Sequence, residues 1–398
     1  MTNKRKVLVV TTTFPRHEGD DQPRFVLDLC KSLPGEFEQR VLAPSAPELP
    51  LDDRIEGIPV RRFRYFLRQG ETLAYGSGVL ANLREKTRRW LLVPFFLLGL
   101  VLAVRQELRH FRPDIVHAHW WFPAGLATRL AMATSSGKHK LLVTCHGTDY
   151  FTLGKRFPRL LRWVLKRADA VAMVSPAMRD DAISQGLPER KIRIAPMGVD
   201  LRKRFTPGDA TRRQGVLFVG RLLAEKGVDD LLTGWAAASD AVRDQGLRII
   251  GSGSQQHRLL ALASSLGVSD SVSFLGAVAH DDLPMHYRQA ALLVFPSPAE
   301  EGLGLVAIEA MGCNCAVLAS DTRSLADVIV EGQSGFVYPM GDKAALARRL
   351  DELIRAPERC NEVATRGGDL VRSRFDWAVA GANYRSLYDE SGDSDRPA

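Results

Sequence analysis

A chain of 398 residues has room for two domains, each able to bury its own core. Its 45% hydrophobic and 25% charged residues are those of an ordinary soluble protein. The formal net charge of +8 points to nucleic acid, an anionic membrane surface or phosphorylated substrates, and the first is weakest because no basic run is interleaved with aromatic residues. The five cysteines, Cys30, Cys145, Cys313, Cys315 and Cys360, are odd in number and sparse, which predicts reduced thiols in a cytoplasmic setting. Cys313-Asn314-Cys315 lacks a partner pair, so no zinc site is expected. The basic start runs straight into a Val-rich segment with no cleavage signal behind it, so no signal peptide is expected.

Residues 6–11 read as a first parallel strand, followed by a loop over 12–24 and a helix over 25–33. That order opens a doubly wound sheet, whose ligands sit at the carboxyl ends of its strands. Residues 39–43 and 59–63 read as further strands, and 64–83 as a loop on the acceptor side. Residues 90–104 are the most apolar stretch, preceded by Arg84, Lys86, Arg88 and Arg89. Fifteen residues fall short of the roughly 20 needed to span a bilayer, so a buried helix is expected. The competing reading is a monotopic patch on anionic lipid. Residues 114–121 read as a strand ending in a polar, aromatic mouth. His117 and His119 share one strand face, but no third ligand makes them a metal pair. A strand over 141–144 leads to Cys145-His146-Gly147-Thr148-Asp149, and 155–167 read as a basic, aromatic amphipathic helix. Residues 201–214, polar and basic with Pro207-Gly208, read as a linker.

A second doubly wound unit restarts with a strand over 215–219, followed by Gly220-Arg221-Leu222-Leu223-Ala224-Glu225-Lys226-Gly227. Gly251-Ser252-Gly253 ends the next strand and reads as close packing, since no acidic residue at the expected distance supports a dinucleotide fingerprint. The run 290–295 reads as a buried strand closed by Pro296 and Pro298. After it come Glu300, Glu301, Gly302, Leu303, Gly304, Leu305, Val306 and a helix carrying Glu309. A strand, a glycine-bearing turn and a helix N-terminus make an anion site, because free N–H groups and the helix dipole point the same way. Phosphates would sit on the amides of residues 302–306. Glu309 would accept a ribose diol and Glu301 the hydroxyls of a second sugar. The alternative is that Glu300 and Glu301 complement the helix dipole while Glu309 is solvated.

Glu301 and Glu309, with seven residues between them, resemble the E-x7-E motif of retaining GT-B glycosyltransferases of family 4. Residues 220–227 resemble the family's G-R-L-x-x-E-K-G, residues 146–149 its H-G-x-D, residues 114–119 its D-I-V-H-x-H, and residues 196–200 its P-x-G-V-D linker strand. Phe14-Pro15-Arg16 with Gly19-Asp20 replaces the Gly-Gly pair of many members and resembles a subset.

The resemblance implies an α/β protein of the GT-B fold, two doubly wound Rossmann-like domains facing a central cleft. Residues 1–200 would be the acceptor-side domain and 201–375 the nucleotide-sugar domain. A helix over 376–390 would pack back on the first domain, before a disordered tail over 391–398. Arg221 and Lys226 would neutralise the donor pyrophosphate, Gly220 would line the donor site, and His146 would contact the donor hexose, with Asp149 orienting it or capping the next helix. His119 would face the acceptor side. Arg16 or Arg24 would contact an anionic group, or be solvated loop arginines.

No Asp-x-Asp lies at a strand end, so no metal and no cofactor is expected, the UDP- or GDP-linked sugar being a substrate. The implied reaction moves a hexose to a glycan or lipid-linked saccharide with retention, by a front-face displacement. Its implied setting is cell-surface polysaccharide or glycolipid synthesis, in the cytoplasm or peripheral on the membrane's cytoplasmic face. Alternatives are a GT-B sugar phosphorylase or nucleotide-sugar epimerase, a non-catalytic nucleotide-sugar-binding subunit, and a membrane adaptor.

Overall fold

The computed structural model describes residues 4–20, 22–33, 35–76, 79, 82–83, 86–208 and 213–390. The chain forms two compact units. One comprises residues 1–198 and 377–398, the other residues 199–376. The chain therefore leaves the first unit at Gly198 and returns to it at Trp377 with the helix Trp377–Glu390. The expected tail over 391–398 lies outside the described residues.

Among the described residues the first unit has eight strands: β1 (Arg5–Val10), β2 (Phe37–Pro44), β3 (Asp52–Ile55), β4 (Ile58–Phe63), β5 (Ile115–His119), β6 (Lys140–Cys145), β7 (Ala170–Met173) and β8 (Ile192–Ile194). They lie in the order β3-β4-β2-β1-β5-β6-β7-β8. Every pairing is parallel except β3 with β4. The sequence reading missed β3, whose charged DDRI has no apolar alternation to mark it. Strand order reverses between β1 and β5, so right-handed crossovers put helices on opposite faces of the sheet. Helix Phe25–Ser32 packs with Trp377–Glu390, and helix Val93–His110 packs with Leu126–Met132.

The expectation of a buried helix over 90–104 is corrected. A 3₁₀ turn over Thr87–Leu92 runs into the helix Val93–His110. Phe96, Leu100, Val104 and Leu108 form its buried stripe, while Leu91, Phe95, Leu98 and Leu102 are 74%, 51%, 57% and 55% exposed. Helical periodicity fills two faces with apolar residues here, and the sheet covers one of them.

Among its described residues the second unit carries six parallel strands, β9 (Val216–Val219), β10 (Leu247–Ile250), β11 (Val272–Gly276), β12 (Leu292–Phe295), β13 (Ala316–Ser320) and β14 (Phe336–Tyr338), in the order β11-β10-β9-β12-β13-β14. β12 is buried throughout, as a continuous apolar run in a parallel sheet should be. The order reverses between β9 and β12. At such a switch point the loops leave the sheet in opposite directions and open a crevice at the strands' carboxyl ends. The two loops there are residues 220–227 and 296–304, the stretches that carry the sequence motifs.

Candidate active site

In the second unit, the loop after β9 turns through a 3₁₀ segment, Ala224–Lys226, and ends at Gly227 with φ +69°. A Cβ on Gly227 would run into the carbonyl of Pro296. Glycine thus lets this turn lie directly on the end of β12, and the approach brings Lys226 to Glu301. Its Nζ donates to both carboxylate oxygens, at 2.6 and 2.8 Å. Ser297 Oγ donates to the same carboxylate at 2.9 Å, fixing its rotamer. The pair is largely shielded, so its Coulomb attraction is weakly screened. Arg221 is exposed and has no side-chain partner among the described residues. Gly251 and Gly253 pack against the carbonyls of Gly220 and Leu222, which is the close packing expected of that turn.

Gly304 caps the helix Leu305–Gly312 with φ +68°, and a Cβ there would press on Leu325. Among the described residues no side chain caps this helix. The backbone amides of Gly302, Leu303, Gly304, Leu305 and Val306 have no acceptor among the described residues. A small pocket lined by Gly220, Lys226, Ser297, Glu301 and Val306 opens beside them. Unpartnered amides, a helix N-terminus and a lysine converging on one pocket form a receptor for an anion.

Glu309 lies in the same helix and is buried rather than solvated. Tyr287 Oη donates to its Oε2 and His280 Nε2 lies on its Oε1, both at 3.0 Å. Arg204 Nη1 sits 2.9 Å from the other nitrogen of His280. A guanidinium only donates, so His280 Nδ1 accepts and Nε2 carries the proton given to Glu309. Burial, reinforced by Glu309, pushes the Tyr287 hydroxyl up and keeps it a donor. Each Glu309 oxygen retains a second lone pair, so the carboxylate is oriented and still able to accept a diol. Glu300 turns away from the pocket, to Arg323 and Ser324.

In the first unit, β5 and β6 bring three histidine rings into a stack. The ring centroids of His117 and His119 are 4.2 Å apart, and those of His119 and His146 are 5.2 Å apart. His119 Nδ1 lies 3.0 Å from His146 Nε2. His117 bonds Tyr388 Oη at 2.8 Å and Thr144 Oγ1 at 2.7 Å, and Tyr384 Oη donates to the carbonyl of Ala195 at 3.0 Å. Burial pushes His117 and His146 down to about 3, and pushes His119 down as well. All three rings are therefore neutral at ordinary pH.

His119 Nε2 is buried with no partner among the described residues. An orphaned lone pair costs less than an orphaned N–H, so the His119 proton sits on Nδ1 and is donated to His146 Nε2. His146 is half-buried, and its own proton is then on Nδ1, which has no partner among the described residues. His146 is thereby preset as a neutral hydrogen-bond donor.

Three expectations are corrected. His119 is fully buried against His146 and does not reach an acceptor. Arg24 is committed to Glu56 at 2.5 Å and Asp28 at 3.3 Å, tying the first helix to the β3–β4 turn instead of meeting a ligand. Asp149 neither touches the His146 ring nor caps a helix. Its carboxylate accepts the backbone N–H groups of His146 and Trp121 at 2.9 and 3.0 Å, joining the loops after β5 and β6, and burial pushes it up to about 6. Arg16 forks onto Asp20, with the shortest contact at 2.6 Å, and stays partly exposed. Sequence reasoning missed Tyr287, His280, Ser297, Tyr384 and Tyr388. Their sequence signal is that of ordinary core and loop residues.

Residues 201–368 match the family described as Glycosyl transferases group 1, and residues 22–203 match Glycosyltransferase Family 4. A GDP-mannose-dependent alpha-(1-6)-phosphatidylinositol monomannoside mannosyltransferase of Mycolicibacterium smegmatis is 27% identical, over 67% of this chain and 75% of that protein. Sucrose-phosphate synthase from Thermosynechococcus elongatus superposes with a TM-score of 0.80 at 21% identity, covering 97% of this chain and 99% of its own. Anabaena HepE, solved with UDP and glucose, gives 0.72 at 18% identity, covering 97% and 100%. These two likenesses show the GT-B fold. With the two family matches spanning both units, the chain belongs to glycosyltransferase family 4 and is a transferase of the group 1 type, which works with nucleotide-sugars.

Proposed function

We propose that the protein transfers a hexose from a UDP- or GDP-linked donor to a glycan or lipid-linked saccharide, with retention of anomeric configuration and without a metal. The carrying observation is the Lys226–Glu301 pair set beside five unpartnered amides, with Glu309 oriented further along the same helix. Glu301 lies in the loop before helix Leu305–Gly312 and Glu309 about one turn into it, where the helix rises about 1.5 Å per residue, so the two carboxylates can serve opposite ends of one long ligand. Glu309 accepts the ribose diol. The amides of residues 302–306, Lys226 and Arg221 take the pyrophosphate. Glu301 accepts hydroxyls of the sugar.

As the bond from the anomeric carbon to the phosphate oxygen breaks, negative charge grows on the leaving phosphate, where Lys226, Arg221 and the amides stabilise it. The acceptor oxygen attacks the same face of the oxocarbenium-like carbon, and its proton passes to the departing phosphate oxygen. His146 gives a neutral Nδ1–H to a sugar hydroxyl. GDP-mannose use by the Mycolicibacterium relative, and UDP with glucose in HepE, support the donor class. The phosphatidylinositol mannoside acceptor of the former supports glycolipid or cell-surface polysaccharide synthesis. The five cysteines, all free and buried, suit a cytoplasmic setting.

A thermal-shift panel of UDP, GDP, ADP and their sugar conjugates tests this reading. A ligand at about 100 times its Kd adds roughly 2.7 kcal/mol, enough to raise the midpoint visibly. One nucleotide series should stabilise the protein, and Glu309→Gln should weaken that shift. No shift with any nucleotide would overturn the donor assignment, and an inverted anomer in the product, read by NMR, would overturn retention.

A further inference from the structure

The outer face of the first unit is apolar and cationic at once. On helix Val93–His110 and the turn before it, Leu91, Phe95, Leu98 and Leu102 recur at spacings of four and three as one exposed stripe pointing away from the sheet, and the exposed Arg109 follows two turns further on. Phe66 meets Phe95 edge to face at 5.5 Å, and Leu67 beside it is among the most exposed apolar residues. The surface continues sideways. Helix Val93–His110 packs on Leu126–Met132, whose Arg129 lies over the ring of Trp163 on helix Pro158–Leu165. Trp163 and Phe157 are themselves exposed.

Charge on this face has one sign. In residues 86–110, 126–136 and 150–167 the sole carboxylate is Glu107, and it is buried against Arg40. Lys86, Arg88, Arg105, Arg109, Arg159 and Arg162 pair with no carboxylate among the described residues. A solvated face mixes signs to stay soluble, and a protein partner's core excludes unpaired charge. An apolar stripe with cations at its ends and flanks instead matches an anionic bilayer. Its apolar side chains enter the acyl boundary and its cations meet phosphates.

We infer that this face docks the protein onto an anionic membrane surface, with Leu91, Phe95, Leu98 and Leu102 inserted and the arginines of both helices at headgroup level. The 3₁₀–helix segment over 87–110 has the length and hydropathy of a membrane span, yet its inner stripe is bound to the sheet. It therefore lies in the interface rather than crossing it. The helix runs antiparallel to the strands it connects. Its apolar half consequently sits at the carboxyl-end edge of the sheet, where the loop carrying His146 also emerges. A lipid-linked acceptor would be presented to that edge.

Vesicle flotation tests the docking. The full-length protein should float with vesicles of phosphatidylcholine containing about one-third phosphatidylglycerol, and much less with phosphatidylcholine alone. Phe95→Ser with Leu98→Ser, both solvent-facing, should lower partitioning roughly tenfold or more. Arg159→Glu with Arg162→Glu should lower it several-fold and remove its salt dependence in part. Circular dichroism and donor-nucleotide binding of these variants should match the parent. Failure of the parent to float, equal flotation with neutral vesicles, or flotation unchanged in Phe95→Ser/Leu98→Ser would overturn the docking. So would a lipid-free dimer in sedimentation that the same substitutions abolish, since the stripe would then cover a second copy. Flotation needs neither donor nor acceptor, so its failure is distinct from failure of the transferase reading.

Discussion

In the second unit Lys226 and Glu301 form an ion pair at the edge of a pocket, and in the first unit the buried His117 and His119 stack with the half-buried His146 as neutral rings. Within the ion pair each partner offsets part of the hydration the other loses, and Ser297 adds a further donor. Among the described residues no carboxylate meets the rings of the histidine stack, so burial removes the charge. On the proposed function, one cluster handles phosphate charge and the other presents a hydrogen bond of fixed direction.

The largest effect separates these roles outright. Lys226→Ala should lower kcat by roughly 10²–10³-fold, the scale of losing one charge-stabilising donor in a transition state. Lys226→Arg should recover part of it. Initial rates at saturating donor decide the matter, and a variant within a few-fold of the parent would remove Lys226 from catalysis.

The neutral stack makes the opposite demand on pH. His117 and His146 drop from 6.5 to about 3 on folding. As pH falls below 6.5 the unfolded chain takes up protons that the folded stack refuses, so stability present above 6.5 is lost progressively toward 3. The thermal midpoint should decline over this window, and His146→Gln should flatten the decline by about one proton. A profile identical to the parent would mean that the ring is charged in the fold. Activity, in turn, should show no ionisation of His146 between pH 5 and 8.

His119→Phe keeps the stacked ring and deletes the hydrogen bond to His146. The loss of one bond at a positioned donor is worth about tenfold in kcat, with little change in donor KM. An equal fall in kcat and a rise in KM would point to general collapse of the stack. In the other cluster, Tyr287→Phe should weaken nucleotide binding about three- to tenfold, by freeing one oxygen of Glu309 to turn. Titration with the nucleotide found by thermal shift measures it.

The difference between the clusters also explains what was readable in the sequence. Lys226, Glu301 and the amides of residues 302–306 lie on two loops at one switch point, each short and punctuated by glycine and proline, so strand order alone brings them together. Their spacing carries the chemistry. The histidines were visible too, but His119's role depends on which side chain covers it. Tyr384 and Tyr388, which pack against His117, arrive from about 270 residues away. Helix 93–110 failed for a related reason. A periodic apolar segment shows how much face is apolar, and only the sheet beneath decides how much is covered.

Arg24 is the instructive misassignment, because its ion pair looks like that of Lys226 and serves a different end. Glu56 gathers Arg24 and Lys31, and the Arg24 hydrogen bond, against the opposing effect of burial, holds its carboxyl down at about 2 from 4.5. Its folded pKa is depressed, so its stabilisation is present above 4.5 and fades as pH falls from there toward 2. Glu56→Gln should therefore cost about 1–2 kcal/mol at neutral pH, after allowance for partial solvent screening, and almost nothing near pH 2. Urea unfolding at the two pH values reads this directly. Catalytic rate should be untouched at 25 °C, since the pair ties a helix to a turn. A large loss of activity with unchanged stability would return Arg24 to the ligand site from which its geometry removes it.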